Sequence, residues 1–322
     1  MQHAVAAAGA DALPRAVFVG TAMGLRPALA WRNHPLAISR VSTVMALSRV
    51  LGWLDESSFR PSPEATVEDL SSFHTRPYLA ALRHADATQQ ADTVIRERYR
   101  IGTFENPVFP GVFRQAALAV GGSILAADLA LEGFVPFHPA GGTHHGRPDR
   151  ASGFCFFNDP VFAIRRLLQR GVERVAYVDL DAHHGDGVED AFAGEPRVRP
   201  VSIHEAGRWP HTGAEAGRTP GGAINLPVPP GLNDTEFAWL LDEAVLPCIE
   251  QFHPGAIVIT CGADPLAGDP LARMQLSNHA LWLAVDRIRA LSPTTVVLGG
   301  GGYNPWTVAR CWTGLWGRLA GR

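Results

Sequence analysis

The sequence predicts an α/β fold: a mostly parallel sheet with helices on both faces, three layers in all. Six short, continuously apolar, β-rich runs recur along the chain, the pattern of strands covered on both sides. Helical patterns lie between them, and such strand–helix alternation builds parallel sheets. Chemically competent polar residues gather just after several of the apolar runs, at the strand ends where open α/β sheets bind ligands.

The strand-like runs span 16–20, 134–142, 174–183, 199–204, 256–264 and 294–302. Helical periodicity spans 63–85, 112–132, 159–171, 233–252 and 277–291. Asn158-Asp159-Pro160, Asn233-Asp234 and Ser277 read as helix starts, and Gly171 as a stop. The stretch 206–222 carries five Gly and two Pro and reads as a surface loop. There is no internal repeat and no low-complexity linker, so one domain is expected.

The 322 residues are 46% apolar, enough for a sizeable core. A formal charge of -3, from 28 basic and 31 acidic residues, argues against a broad nucleic-acid-gripping surface. All the basic residues are arginine; the sequence holds no lysine, which reads as a compositional bias of the source genome. Cys155, Cys248, Cys261 and Cys311 form no CxxC pair and read as reduced, mostly buried thiols of a cytoplasmic protein. The N-terminus lacks a basic region ahead of its small-residue run and makes a poor secretory signal. No stretch reaches 18 apolar residues without a charge or a breaker, so no membrane span is expected.

Four segments carry chemistry. In Asp179-Leu180-Asp181-Ala182-His183-His184-Gly185-Asp186-Gly187, residues Asp179, Asp181 and His183 fall two apart and share one face of an extended chain. Carboxylate oxygen and imidazole nitrogen suit Zn²⁺ or a similar ion. A polar loop closed by side-chain turns is the blander account; three acids and two His directly after an apolar run weigh against it. Asp264, after the run at 256, is a candidate third ligand, and three protein ligands leave a position open for catalysis. An Asp after a strand is by itself a weak signal. His144 and His145, preceded by glycines, are candidate proton carriers, with Asp179 and Asp186 available to orient them. Four glycines, Gly299 to Gly302, let the backbone pass close to a ligand and precede Tyr303.

Together these segments resemble the arginase–deacetylase superfamily, and within it the bacterial class I-type histone-deacetylase-like and acetoin-utilisation proteins. The resemblance runs from Asn33-His34-Pro35-Leu36 to Ala309-Arg310-Cys311-Trp312, with 179–192 the most specific string. It implies a single catalytic domain over 1–322, with 1–14 a flexible N-terminal segment. Carried over residue by residue, it implies Asp181, His183 and Asp264 as metal ligands. His144 and His145 match the catalytic imidazoles, Asp179 and Asp186 their carboxylate partners, and Tyr303 the phenol that polarises the scissile carbonyl. Gly153 and Phe154 match one wall of a narrow substrate tube and Leu271 an apolar lining position. Trp209 is the candidate opposite wall, although its loop departs from the usual Phe-containing pattern. Arg40 matches an arginine of an inner acetate channel. Ser202, with the backbone near Asp179, Asp181 and His183, resembles a monovalent-cation site for K⁺. Glu105 is the candidate rim acid.

The implied activity is removal of an acetyl or other acyl group from lysine or a lysine-like amine, with Zn²⁺ or Fe²⁺, and with no nucleic-acid or membrane partner. An enzyme of that kind without lysine could not be its own side-chain substrate. Three other readings compete with it. A polyamine deacetylase predicts an acid near the tube mouth, and Leu271 argues against it. A ureohydrolase binds two Mn²⁺ with more carboxylates, and the lone Asp–His–Asp set and Tyr303 argue against that. A non-catalytic acyl-lysine binding module would be favoured by loss of His145 or Tyr303, and both are present.

Overall fold

The computed structural model describes residues 16–21, 34–37, 39–219 and 222–322; the segment 1–14, expected to be flexible, and Asn33 lie outside them. The strands are β1 (Ala16–Gly20), β2 (Phe59–Pro61), β3 (Val135–His138), β4 (Val175–Asp179), β5 (Val198–Glu205), β6 (Gly217–Arg218), β7 (Ile224–Val228), β8 (Ala256–Thr260) and β9 (Thr295–Leu298). The helices are α1 (Arg40–Val50), α2 (Val67–Ser71), α3 (Arg76–Thr88), α4 (Thr93–Tyr99), α5 (Val112–Leu131), α6 (Asp159–Gln169), α7 (Asp186–Ala191), α8 (Asp234–Leu240), α9 (Leu246–Phe252), α10 (Asn278–Arg289) and α11 (Pro305–Leu319). Among the described residues the strands form one sheet in the order β2-β1-β3-β9-β8-β4-β5-β7-β6. Every pairing is parallel except β6 with β7.

The apolar runs explain why both faces are covered. Alternate residues of a strand point to opposite faces. Ala176 and Val178 of β4 and Ile257 and Ile259 of β8 join a core built with α1, α8, α9, α10 and α11. Val175, Tyr177, Ala256 and Val258 join the opposite core, built with α5 and α6. A third cluster packs α2, α3 and α4 against α5, Phe156 and Phe157. By length and hydropathy α5 could cross a membrane, but 67% of its most apolar window is buried, as in the core helix of a layered α/β protein. Cys155, Cys261 and Cys311 are buried and Cys248 is half-buried, as expected.

Two expected helices differ from the structure. The run at 63–85 is two helices, α2 and α3, because Pro77 occupies the first turn of α3 and the Thr75 N–H donates to the Pro148 carbonyl instead of continuing a helix. The run at 233–252 is continuous, but a π turn at Leu241–Val245 separates α8 from α9. Pro247 has no N–H and would crowd the carbonyl four residues back, which the wider turn accommodates. The strand β7 was not expected, because Asn225 and Pro227 interrupt its apolar pattern. The loop 206–222 also contributes the short edge strand β6.

Candidate metal and catalytic site

The site lies over the C-terminal ends of four adjacent strands, β3, β9, β8 and β4. Asp179 is the last residue of β4, and Asp181 and His183 follow at alternate positions. Asp264 follows β8. Nδ1 of His183 lies 3.1 Å from Oδ1 of Asp181 and 2.9 Å from Oδ2 of Asp264. One ligand atom from each residue lies within 4.8 Å of the others, and all three residues are buried. Backbone donors fix the carboxylates: Gly301 N–H to Oδ2 of Asp181 at 2.6 Å, and Ala182 N–H to Oδ1 of Asp264 at 3.1 Å. A Cβ at position 301 would stand 2.2 Å from Oδ2 of Asp264, which explains a glycine there.

The electrostatics of this cluster ask for a cation. Burial and the neighbouring Asp181 hold the Asp264 carboxyl above its ordinary range. Burial opposes charging His183, but Asp181 and Asp264 outweigh it and push the imidazole up. Two buried carboxylates therefore converge on one shared imidazole proton. A divalent ion would replace that proton and supply the missing charge, and a donor set of two carboxylate oxygens and one imidazole nitrogen suits it.

His144 and His145 ride the loop that follows β3. Nδ1 of His144 lies 2.6 Å from Oδ2 of Asp179, and Nδ1 of His145 lies 2.7 Å from Oδ1 of Asp186. A carboxylate at Nδ1 leaves Nε2 as the working atom of each ring. The ring centroids are 3.9 Å apart. Burial opposes charging both rings. For His144 the carboxylates of Asp179 and Asp181 prevail and raise its pKa. For His145 burial, reinforced by His144, prevails over Asp186 and lowers it.

Several supports were not legible in the sequence. Asn158 and Asp159, read there only as a helix start, clamp the imidazole loop. The Asn158 side-chain amide donates to the carbonyls of His144 at 3.0 Å and Gly146 at 2.9 Å. Asp159, fully buried, accepts from the N–H groups of Gly142 at 3.0 Å and Thr143 at 2.7 Å. Two polar residues between the apolar runs 154–157 and 160–164 were the available signal. Arg147 pairs with the second oxygen of Asp186 and with Asp190. Tyr177 donates its hydroxyl to Asp179 at 2.8 Å. Asp269 accepts the Tyr303 N–H at 2.6 Å and the Leu271 N–H at 2.8 Å.

Two cavities meet at His145, Gly153, Phe154 and Tyr303. The outer one, about 570 Å³, is also lined by His183, Trp209, Leu271 and Glu105. The inner one, about 190 Å³, is lined by Arg40 and His144. Phe154 adopts a left-handed backbone with φ 66°, a conformation costly for a bulky residue, and its N–H donates to Oδ1 of the buried Asn106 at 3.1 Å. The Trp209 and His145 rings meet nearly at right angles with centroids 4.6 Å apart. A side chain at Gly153 would strike Trp209 at 2.4 Å, so that glycine keeps the indole against the site. The Tyr303 ring lies 5.8 Å from Phe154, and burial together with Asp264 pushes its phenol well above the ordinary value, keeping it a donor. Arg40 donates to the carbonyls of Gly300 at 2.8 Å and Gly302 at 3.3 Å. Ser202 is in register with Asp179, but its hydroxyl lies 2.9 Å from Nδ1 of His204, so a cation there would share that oxygen. Every candidate from the sequence thus lies in or beside one site.

Solved structures with this architecture include a crystal structure of an HDAC homolog from Aquifex aeolicus, with a TM-score of 0.90, 38% identity, and coverage of 96% of this chain and 84% of that one. A crystal structure of an HDAC homolog complexed with SAHA matches with a TM-score of 0.89 and 38% identity, again over 96% of this chain and 84% of that one. The fold is that of the arginase–deacetylase superfamily. Within it, residues 34–319 match the histone deacetylase domain, and the chain belongs to the histone deacetylase family. Relatives include Histone deacetylase 1 of Oryza sativa subsp. japonica, 37% identical over 288 residues, 87% of this chain and 55% of that protein. Histone deacetylase 8 of Xenopus tropicalis is 33% identical over 291 residues, 88% of this chain and 78% of that protein. The chain therefore spans little more than half the length of the rice relative.

Proposed function

We propose that the chain hydrolyses the amide of an acylated lysine or lysine-like amine, using one Zn²⁺ or Fe²⁺ held by Asp181, His183 and Asp264. The observation that carries this reading is the meeting of the two cavities: His145, Tyr303 and the Phe154 wall border both. A thin substrate arm would run down the outer cavity between Phe154 and Trp209, with its acyl group facing the inner one. When bound, the metal would act as a Lewis acid toward the amide carbonyl and lower the pKa of water. Nε2 of His145 accepts the proton of the attacking water and passes it to the leaving nitrogen as the C–N bond breaks, giving a carboxylate and an amine. His144, held by Asp179, keeps positive charge beside the reacting centre. The Tyr303 phenol donates to the carbonyl oxygen as negative charge develops there. Arg40 lines the space into which the released carboxylate would move. The monovalent-cation site beside Asp179 and Ser202 is part of the same reading.

A turnover panel tests the substrate class. The apolar Leu271 and the two aromatic walls favour a neutral, linear arm, so kcat/KM is expected to be higher for acetyl-lysine peptides than for acetylspermidine with the metal-reconstituted protein. The reverse ranking would move the assignment to a polyamine amidohydrolase.

Tyr303→Phe is expected to keep fold and bound metal while kcat falls by about 10²–10³, the typical cost of losing one oxyanion donor. Phe retains the ring and its packing on Phe154, and the donor acts mainly in the transition state, so kcat should fall more than KM rises. A variant with normal kcat and a full metal complement would remove Tyr303 from the mechanism.

A further inference from the structure

The charged side chains lining the outer cavity, apart from its imidazoles, are Glu105, Glu205, Arg208 and Arg273. Glu205, the last residue of β5, is only 3% exposed. Its Oε1 lies 2.5 Å from a terminal nitrogen of Arg208, and its Oε2 accepts the backbone N–H of Arg273 at 2.7 Å. Arg208 also donates to the Leu271 carbonyl at 2.9 Å, and its buried Nε has no partner among the described residues. A carboxylate thus stands in the wall of the tube mouth with both oxygens occupied by neighbours on the wall itself. A buried carboxylate stripped of its cation is strongly disfavoured and seeks another.

We propose that Arg208 sets the charge selectivity of the mouth by masking Glu205, so that this buried carboxylate is not open to a second ammonium on a substrate arm, which meets only Glu105 at the mouth. The proposal rests on the acyl-amine hydrolase reading. It explains how an acid can line the mouth of a tube whose Leu271 wall suits a neutral arm. Without the Arg208 guanidinium, the lining would hold two acids against one base, and Oε1 of Glu205 would face the vacated space. An ammonium could then take the place of the arginine. The alternative is that Arg208 is only a strut holding Trp209 and Leu271 in place. A strut predicts equal losses for every substrate, whereas masking predicts a change in their ratio.

The test compares wild type, Arg208→Met, Glu205→Gln and the double variant, each metal-reconstituted, on an uncharged acetyl-lysine amide and on N8-acetylspermidine. Arg208→Met is expected to raise the ratio of kcat/KM for acetylspermidine over the uncharged amide by about fivefold, the upper end for one part-exposed ion pair. Adding Glu205→Gln should cancel that gain, and Glu205→Gln alone should move the ratio the other way. An equal loss on both substrates, or a gain that survives Glu205→Gln, would overturn the proposal. If thermal melting shows that Arg208→Met does not fold, Glu205→Gln decides alone, and an unchanged ratio would overturn it. Calorimetric titration with spermidine reads the same charge effect without turnover, with about fivefold tighter binding to Arg208→Met expected and unchanged binding counting against masking. Wild type that turns over neither amide would defeat the hydrolase reading, and the spermidine titration would still decide the role of Arg208.

Discussion

Chelation is expected to bring turnover of acyl-lysine substrates to background, and one equivalent of Zn²⁺, Co²⁺ or Fe²⁺ per chain to restore it. Asp181 and Asp264 are buried carboxylates that share the Nδ1 side of a single imidazole. Two such charges hold together only with a compensating cation. Asp181→Ala should lose metal and turnover together, because the substitution removes a ligand and leaves the two remaining groups without a closed set. Metal binding should also weaken on acidification. The ion must take the nitrogen that a proton occupies on His183, so lowering the pH favours the protonated, metal-free state and raising it favours the metal. With one proton displaced, apparent affinity should change by about tenfold per pH unit in the range where that proton is held. The melting temperature should fall on chelation, since a ligand bound only by the native state stabilises it. Full activity in protein shown by mass spectrometry to be free of metal would defeat the metal assignment.

The parts of the fold that the sequence made legible are those where one physical pattern dominates. Strands covered on both faces need apolar side chains at every position, so β4, β8 and β9 stand out as runs and their polar ends stand out as a site. Asp181, His183 and Asp264 could be picked out as a candidate metal set because such a set needs a short alphabet of ligands at strand ends, and the fold brings the three together. What stayed hidden depends on contacts between segments far apart in the chain. Asp159 looks like any acid opening a helix; only the fold brings it beneath Gly142 and Thr143. Asn106 looks like a loop residue until it meets the amide of Phe154, 48 positions away. Arg208 lies three residues from Glu205 in an irregular loop, where no periodicity flags a pair. The loop of Trp209 lacks the family's aromatic pattern, yet Gly153 leaves room for the indole against His145.

Replacing His145 by alanine is expected to lower kcat by about 10²–10⁴, the usual contribution of a general base, with metal content retained. His144→Ala should cost less. Both rings are carboxylate-backed, so sequence position alone does not separate them; their surroundings do. Nε2 of His144 lies 3.8 Å from Oδ1 of Asp181, on the metal side, and with Asp179 at its other nitrogen the ring sits between two carboxylates that favour its charged form. His145 has one carboxylate, Asp186, already engaged by Arg147, and its charged neighbour His144 opposes a second positive charge. The pair is thus divided into a ring that keeps a proton and a ring that is free to accept one. A base must begin unprotonated, so the proposed mechanism gives that step to His145 and has His144 stabilise negative charge as it develops. His145→Ala also leaves Asp186 paired with Arg147, so the loss should be of chemistry rather than of fold, and the melting temperature should stay near that of wild type. Measuring kcat, bound metal and melting temperature on the same preparations separates the outcomes. Equal and small losses in both variants, with metal intact, would refute the division of roles, and a larger loss in His144→Ala than in His145→Ala would reverse it.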